Sequence, residues 1–264
     1  MRSVLVTGAA RGLGAAVAVR LRADGYAVLA TDLHRTPEIL GLDVREPAQW
    51  AAAAESLAEV GEPWGLVNCA ARTVVRDLFA IEVDEWDDVL ATNLRGPFLG
   101  VQAVGRLLRE RKGGRIVNIA SDSAFRGVGV TGAHYAASKA GLITLTRRAA
   151  AALAGSGVTA NVVAPGTLDG DTVRELAGDR LGELAGNVPL GRLGGLAEVA
   201  GAVSWLLSDD ASYVTGATIL VDGGSSLWDR GRARRSKPSR FALVTASMSA
   251  ADQPRAVSAS TSAG

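Results

Sequence analysis

The octapeptide TGAARGLG at residues 7–14 follows a β-branched run, SVLVT at 3–7, and opens a segment patterned as a helix. That placement gives each glycine a task. Gly8 permits a tight turn, Gly12 lets a pyrophosphate approach the backbone, and Gly14 allows helix and strand to pack closely. The helix start adds its unpaired N–H groups and the positive end of its dipole. A strand that runs through such a turn into a helix needs a parallel neighbour, because a parallel strand is reached only by a crossover.

The rest of the chain supplies those neighbours. Strand-like runs occur at 3–7, 26–31, 38–44, 65–68, 114–120, 157–164 and 216–221, and helix candidates lie near 12–24, 47–60, 83–111, 134–155 and 196–208. This alternation predicts an α/β protein: a doubly wound Rossmann fold, its parallel sheet of about seven strands covered by helices on both faces. One link is short. Asp32 and Asp43 mark the ends of the second and third strands, which leaves room for a loop or a single turn but not for a crossover helix.

Asp32 in ATDLH stands where an acidic side chain would accept hydrogen bonds from the adenosine ribose hydroxyls and repel a 2′-phosphate. The expected cofactor is therefore NAD. Arg11 in the glycine loop and Arg35 beyond Asp32 are able to pair with a 2′-phosphate, so NADP remains the alternative.

Residues 1–228 read as one dinucleotide-binding and catalytic domain, since nothing within them resembles a linker. Residues 230–264 hold seven bases against one acid, leaving 21 bases and 26 acids, a net −5, in the rest. This basic, Ser- and Ala-rich end, taken as residues 229–264, is expected to be a disordered tail. Arginine outnumbers lysine 25 to 3 throughout the chain, which weakens the case that the tail binds nucleic acid. The apolar runs are too short to span a membrane, and no signal-peptide pattern precedes the first strand. A single cysteine, Cys69, excludes an internal disulfide, and with two histidines it suggests no metal cluster. A cytoplasmic, metal-free protein is expected.

Tyr135 and Lys139 in AHYAASKAGL are two of the chain's scarcer residues, with three tyrosines and three lysines in all. Spaced i and i+4, they project from one helix face. A free phenol titrates near ~10, and a nearby cation would favour its phenolate, so the lysine is expected to tune the tyrosine. Ser121 ends the preceding strand on the carboxyl side of the sheet, where such folds bind ligands. From there its hydroxyl can donate to a substrate oxygen as charge develops.

The glycine loop is followed in order by LDV (42–44), VNCAA (67–71), TNL (92–94), GRIVNIAS (114–121), HYAASKAGL and NVVAPG (161–166). In these motifs, from about residue 3 to 226, the chain resembles the short-chain dehydrogenase/reductase family. The resemblance implies a single-domain Rossmann oxidoreductase, often a tetramer or dimer, that moves a hydride between nicotinamide and a secondary alcohol or ketone. It implies Tyr135 as acid/base, Lys139 as its partner, Ser121 as the carbonyl-orienting hydroxyl and Asn93 as the holder of a proton-relay water. The cofactor would lie along Gly8, Arg11, Gly12, Leu13, Gly14, Asp32, Asp43, Val44, Asn68, Ala70, Tyr135, Lys139, Pro165, Gly166 and Thr167, with Asp43 and Asn68 on the adenine side.

Three departures mark this chain. Ala71 replaces a glycine. Ser121 stands one residue farther from Tyr135 than the common spacing, which keeps Ser123 as an alternative. Gly170 occupies a position usually held by threonine, for which Thr167 or Thr172 are the substitutes. The segment from 167 to 195 has few aromatics and no charge cluster, which suggests a small or mostly apolar substrate. A keto-group reductase or alcohol dehydrogenase is the first expectation. The second is a 2,3-dihydro-2,3-dihydroxybenzoate dehydrogenase-like oxidation of a cyclic dihydrodiol, a group that IASDSA, ALAGSGV and VDGGSSL also resemble. A non-catalytic nucleotide sensor or interaction protein would predict a broken catalytic set, and all four positions here are filled.

Overall fold

The computed structural model describes residues 1–126, 131–171, 173–174 and 181–227. Residues Met1–Trp228 make one compact unit. The expected tail at 229–264 lies outside the described residues.

Seven parallel strands form one sheet in the order β3-β2-β1-β4-β5-β6-β7. They are β1 (Arg2–Thr7), β2 (Ala27–Asp32), β3 (Leu40–Gly41), β4 (Glu62–Asn68), β5 (Gly114–Ile119), β6 (Val158–Pro165) and β7 (Thr218–Val221). The central strands are sealed from water on both faces: β5 and β6 are buried at every position. One face packs against α1 (Gly12–Ala23) and a late helix, Leu196–Leu207, through Val17, Leu21, Val203 and Leu206. The other packs against α2 (Pro47–Val60), α4 (Gly96–Glu110) and α5 (Ala133–Leu153) through Trp50, Leu57, Val104 and Leu153. A shorter α3 (Val83–Leu90) precedes α4, and a five-residue α6 (Leu181–Ala185) precedes the late helix, here α7. The strand order reverses between β1 and β4, so the crevice where such folds bind ligands opens at their carboxyl ends.

Two elements differ from the sequence expectation. The third strand shrinks from the expected 38–44 to two residues because an antiparallel bridge, Thr36 to Ile39, folds the approach back on itself. The short link does hold a turn and no helix. The expected single helix at 83–111 is interrupted by a π-helical turn, Ala91–Arg95. Pro97 accounts for the break, since it has no N–H to offer the carbonyl of Asn93, four residues before it, and its ring crowds that carbonyl.

The glycine loop has the strained geometry its sequence implies. Gly8 and Gly12 have φ of +67° and +57°, in the left-handed region. A β-carbon on Gly14 would stand 2.1 Å from the carbonyl oxygen of Gly8, whereas one on Gly12 would meet nothing within 4 Å. The two substitutions should therefore differ. Gly14→Ala should destabilise the protein by more than the roughly 1–2 kcal/mol that a left-handed alanine costs in Gly12→Ala. Urea unfolding of both variants checks this, and equal losses would contradict the packing described.

Candidate active site

The carboxyl end of β5 and the first turns of α5 bring the proposed chemistry together. Lys139 is 2% exposed, and its Nζ donates to the carbonyl oxygen of Ile119, the last residue of β5, at 2.8 Å. Burial lowers its amine from 10.5 to about 8. Around it, Asn68 Nδ2 donates to Asn118 Oδ1 at 2.7 Å, and Asn118 Nδ2 donates to Thr146 Oγ1 at 2.8 Å, which ties β4, β5 and α5 into one block.

Tyr135 sits one turn before Lys139 with its ring half-buried, the lysine Nζ 5.6 Å from the ring centroid. The phenol is pushed above its ordinary 10, chiefly by burial, while the hydroxyls of Ser121 and Thr73 pull it back down. The ammonium gives one N–H to a strand-end carbonyl, and two neutral hydroxyls draw the phenol down.

Ser121 stands half-buried just past β5. Its oxygen accepts from Ser123 N at 3.2 Å and from Ser123 Oγ at 2.9 Å. Both lone pairs of Ser121 are thus engaged, and its own O–H is left to donate. It has Asp122 Oδ1 at a long 3.4 Å and the Tyr135 phenol, which it draws down, as acceptors within the protein. The alternative hydroxyl, Ser123, stands behind Ser121 as its donor. Asp122 in turn accepts from Ser225 Oγ at 2.8 Å and pairs with Arg126 at 2.9 Å, fixing the turn after β7 against the end of β5.

Asn93 is fully buried in the π turn. Its Oδ1 accepts from Arg72 N at 2.8 Å, and its Nδ2 donates to Arg72 O at 2.9 Å and to Ser138 Oγ at 3.1 Å. The side chain is a clamp on the segment after β4, so any relay water would fall to its backbone carbonyl.

The residues expected to meet the cofactor lie at or beside the carboxyl ends of the parallel strands, with three exceptions. A β-carbon on Gly8 would meet Ala70 Cα at 2.8 Å, so the loop lies flush against the end of β4, while Arg11 and Gly12 are exposed above it. Asp32 Oδ2 accepts from Ala10 N at 3.1 Å, which places the carboxylate beside the loop. Leu13 packs inward against the core. Asn68 is 3% exposed and its Oδ1 has no partner in the protein. Pro165 ends β6, and Gly166 donates to Val221 O at 3.1 Å, with Thr167 half-buried after it. The cradle free of side chains at Gly12, the fixed carboxylate of Asp32 and the unpaired acceptor of Asn68 fit a dinucleotide.

The exceptions are Asp43, Val44 and Leu13. The Asp43 carboxylate is held by Arg45 at 2.7 Å, which keeps it below the usual carboxylate range, and Arg45 also reaches Asp88 at 2.7 Å. Val44 is a core residue, 7% exposed, whose carbonyl accepts from Trp50 Nε1 at 2.9 Å. Side-chain contact with a cofactor is thus not what the structure gives Val44 and Leu13. Of the two substitutes for Gly170, Thr172 lies outside the described residues.

Sequence spacing missed the effect of Thr73, in the loop after β4, which draws the Tyr135 phenol down. It also missed the setting of His134, fully buried on Trp86 with Nε2 at 3.3 Å from Glu85 Oε1. Burial pushes the Cys69 thiol up to about 12, which leaves it unreactive at neutral pH. No helix among the described residues is long and apolar enough to cross a membrane.

A glycine cradle at the strand-order reversal, with a tyrosine, a lysine and a serine at the neighbouring strand end, defines a dinucleotide-dependent oxidoreductase. Residues 8–226 match the family described as enoyl-(acyl carrier protein) reductase. The chain is 41% identical over 237 residues to the 3-oxoacyl-[acyl-carrier-protein] reductase FabG of Salmonella typhimurium, covering 83% of this chain and 95% of that protein. It is also 41% identical over 235 residues to the 3-oxoacyl-[acyl-carrier-protein] reductase MabA of Mycobacterium tuberculosis, covering 86% and 93%. Among solved structures it is similar to levodione reductase, with a TM-score of 0.80 and 32% identity over 86% of this chain and 98% of that one. The chain belongs to the short-chain dehydrogenase/reductase family. It is an NAD(P)-dependent oxidoreductase that acts on CH–OH groups.

The buried lysine makes a stability prediction. Between pH 8 and 10.5 the unfolded chain binds more protons at this amine than the folded one, so the group's contribution to stability rises with pH across that window. The cost of the buried charge, on the order of 3 kcal/mol at about 1.4 kcal/mol per pH unit, is present in full below pH 8. In urea unfolding, the wild type should gain stability relative to Lys139→Met as pH is raised from 8 towards 10. Parallel curves would contradict it.

Proposed function

We propose that the protein reduces a ketone to a secondary alcohol, and runs the reverse reaction, with Tyr135 as the acid/base. The observation that carries this is the convergence of Tyr135, Ser121 and the buried Lys139 at one strand end beside the glycine cradle. The bound nicotinamide supplies or accepts the electron pair.

Ser121, with both lone pairs engaged by Ser123, directs its O–H to the ketone oxygen as negative charge develops there. Tyr135 then gives its phenolic proton to that oxygen, or takes it back in oxidation. Lys139 spends one N–H on Ile119 O and keeps two for a ribose, and its charge also stabilises phenolate at longer range. Asn93 acts as a positioning residue through the Arg72 backbone and Ser138. Asp32, held by Ala10 N, leaves Oδ1 for ribose hydroxyls and sets a like charge against a 2′-phosphate, which supports NAD over NADP.

The relatives named as 3-oxoacyl reductases make a 3-oxoacyl thioester the first substrate class to test. Trp205, Tyr213 and Leu220, exposed by 40% or more around α7 and β7, support a homo-oligomer.

A panel of ketones and alcohols that includes a 3-oxoacyl thioester and a cyclic dihydrodiol, assayed with NAD(H) and NADP(H), tests the reading by nicotinamide absorbance. The expected result is ketone turnover, at least about tenfold better with NAD(H), and a loss of roughly 10²–10⁴-fold in Tyr135→Phe. A preference for NADP(H) would overturn the reading of Asp32. A fully active Tyr135→Phe would remove the mechanism.

A further inference from the structure

The mechanism leaves one buried carboxylate unused. Asp122 follows Ser121 directly, opens the short 3₁₀ turn Asp122–Phe125 and is 9% exposed. Its Oδ2 accepts from Ser225 Oγ at 2.8 Å and pairs with Arg126 Nη2 at 2.9 Å, while Oδ1 lies 3.4 Å from Ser121 Oγ. Ser225 is buried in the turn after β7, and that turn is fastened on two further sides. Gly166, just past β6, donates to Val221 O at 3.1 Å, and Leu190 N donates to Gly223 O at 3.2 Å. The Asp222 carboxylate caps the turn, accepting from Gly224 N at 2.9 Å and from Ser226 N at 2.7 Å. Through Asp122 this braced turn reaches the residue next to Ser121.

Stability alone does not account for a carboxylate here, since exchanging a buried ion pair for apolar residues of similar volume is often neutral or favourable. A carboxylate has acceptor sites only. At this position it takes the hydroxyl of Ser225 and the guanidinium of Arg126 together, and it sends no donor towards Ser121, whose two lone pairs Ser123 already fills. An asparagine would turn its amide N–H groups to one side or the other, against Arg126 or against Ser121. The anchor also bears on Ser123. That residue is the second in the turn that Asp122 opens, so pinning Asp122 to Ser225 fixes the N–H and the hydroxyl that orient Ser121.

Resting on the role of Ser121 set out above, we propose that Asp122 is a positioning residue that pins the Ser121–Ser123 turn to the turn after β7 and so keeps the Ser121 O–H directed at the substrate oxygen. No proton or electron pair passes through Asp122. With the anchor lost, the serine donor is absent for part of the time from the place where negative charge develops. The loss falls on kcat, because that hydrogen bond strengthens only in the transition state.

The test is a double-mutant cycle on reduction of the ketone that turns over fastest in the substrate panel. It compares the wild type, Asp122→Asn, Ser225→Ala and Ser121→Ala with the two doubles that contain Ser121→Ala. Burial keeps the Tyr135 phenol above its ordinary range, so near pH 7 the cycle reads position and not ionisation. Asp122→Asn should lower kcat about tenfold and Ser225→Ala by less, with KM within about twofold of the wild type in both. Ser121→Ala should lower kcat by roughly 10²–10³-fold. In that background neither further change should cost more than about twofold, because the hydroxyl they position is gone. Wild-type kcat in both Asp122→Asn and Ser225→Ala, with Ser121→Ala impaired, would overturn the assignment of Asp122 and leave the role of Ser121 intact. A loss that persists undiminished in the Ser121→Ala background would also overturn it, because a general disturbance of the site would then be responsible. Should Asp122→Asn fail to fold, Ser225→Ala, which keeps the carboxylate and its ion pair with Arg126, decides by the same two criteria. Full activity in Ser121→Ala would overturn both roles.

Discussion

A buried ammonium bonded to the last carbonyl of a central strand sets the geometry of the whole site. Lys139 Nζ reaches Ile119 O at 2.8 Å from a position 2% exposed, and so fixes the depth and rotation of α5 against the sheet. Tyr135, one turn earlier on that helix, inherits its position from this contact, and Ser121, two residues beyond Ile119 in the chain, inherits its own from the same strand end. A guanidinium would not fit the role: it is larger, forked, and suited to paired acceptors, whereas a single carbonyl suits a point charge on a flexible stem. Burial exacts a cost in proton affinity, visible in the drop of the amine to about 8. Such a cost is expected where a fold positions charge for chemistry.

The second constraint is a missing donor. Pro97 cannot bond to the carbonyl of Asn93, and the helix yields a π turn there. That turn carries Asn93 into the interior, where its amide bonds to the backbone of Arg72 on one side and to Ser138 of α5 on the other. The loop after β4, the α3–α4 junction and α5 are thereby one mechanical unit. The glycine cradle joins it through Thr7, whose hydroxyl accepts from the backbone N–H of both Cys69 and Ala70 at 3.0 Å. The glycine loop and the groups proposed for proton transfer are therefore positioned by the same few residues at the ends of β1, β4 and β5.

Much of this was legible in the sequence because it is written in local patterns. Glycine spacing after a β-branched run, and an i, i+4 pair in a helix, state their geometry within eight residues or fewer. The seven parallel strands and both helix layers followed from alternation in the same way. What escaped depended on contacts between distant segments. Thr73 has no spacing relation to Tyr135, yet it draws the phenol down. The loss of most of the third strand came from a turn at Thr36–Ile39, against a run that looked extended. Asp43 carried the expected motif, yet its carboxylate is claimed by Arg45, two residues on. Pro97 was a signal in plain sight: a proline within a helix pattern marks a break, and the break holds Asn93. The expected influence of lysine on tyrosine came from helix geometry alone, which could not show that Ile119 O takes one of the ammonium's N–H groups.

It follows that the free protein holds the Tyr135 phenol protonated, with burial outweighing the two hydroxyls that favour its ionisation. The most direct measurement is an ultraviolet titration of phenolate absorbance in the free wild-type protein and in Tyr135→Phe, the difference isolating one of only three tyrosines. The difference signal should titrate above pH 10. A phenol that ionises well below 10 in the free protein would show that the lysine charge governs it, and would contradict the role assigned to burial.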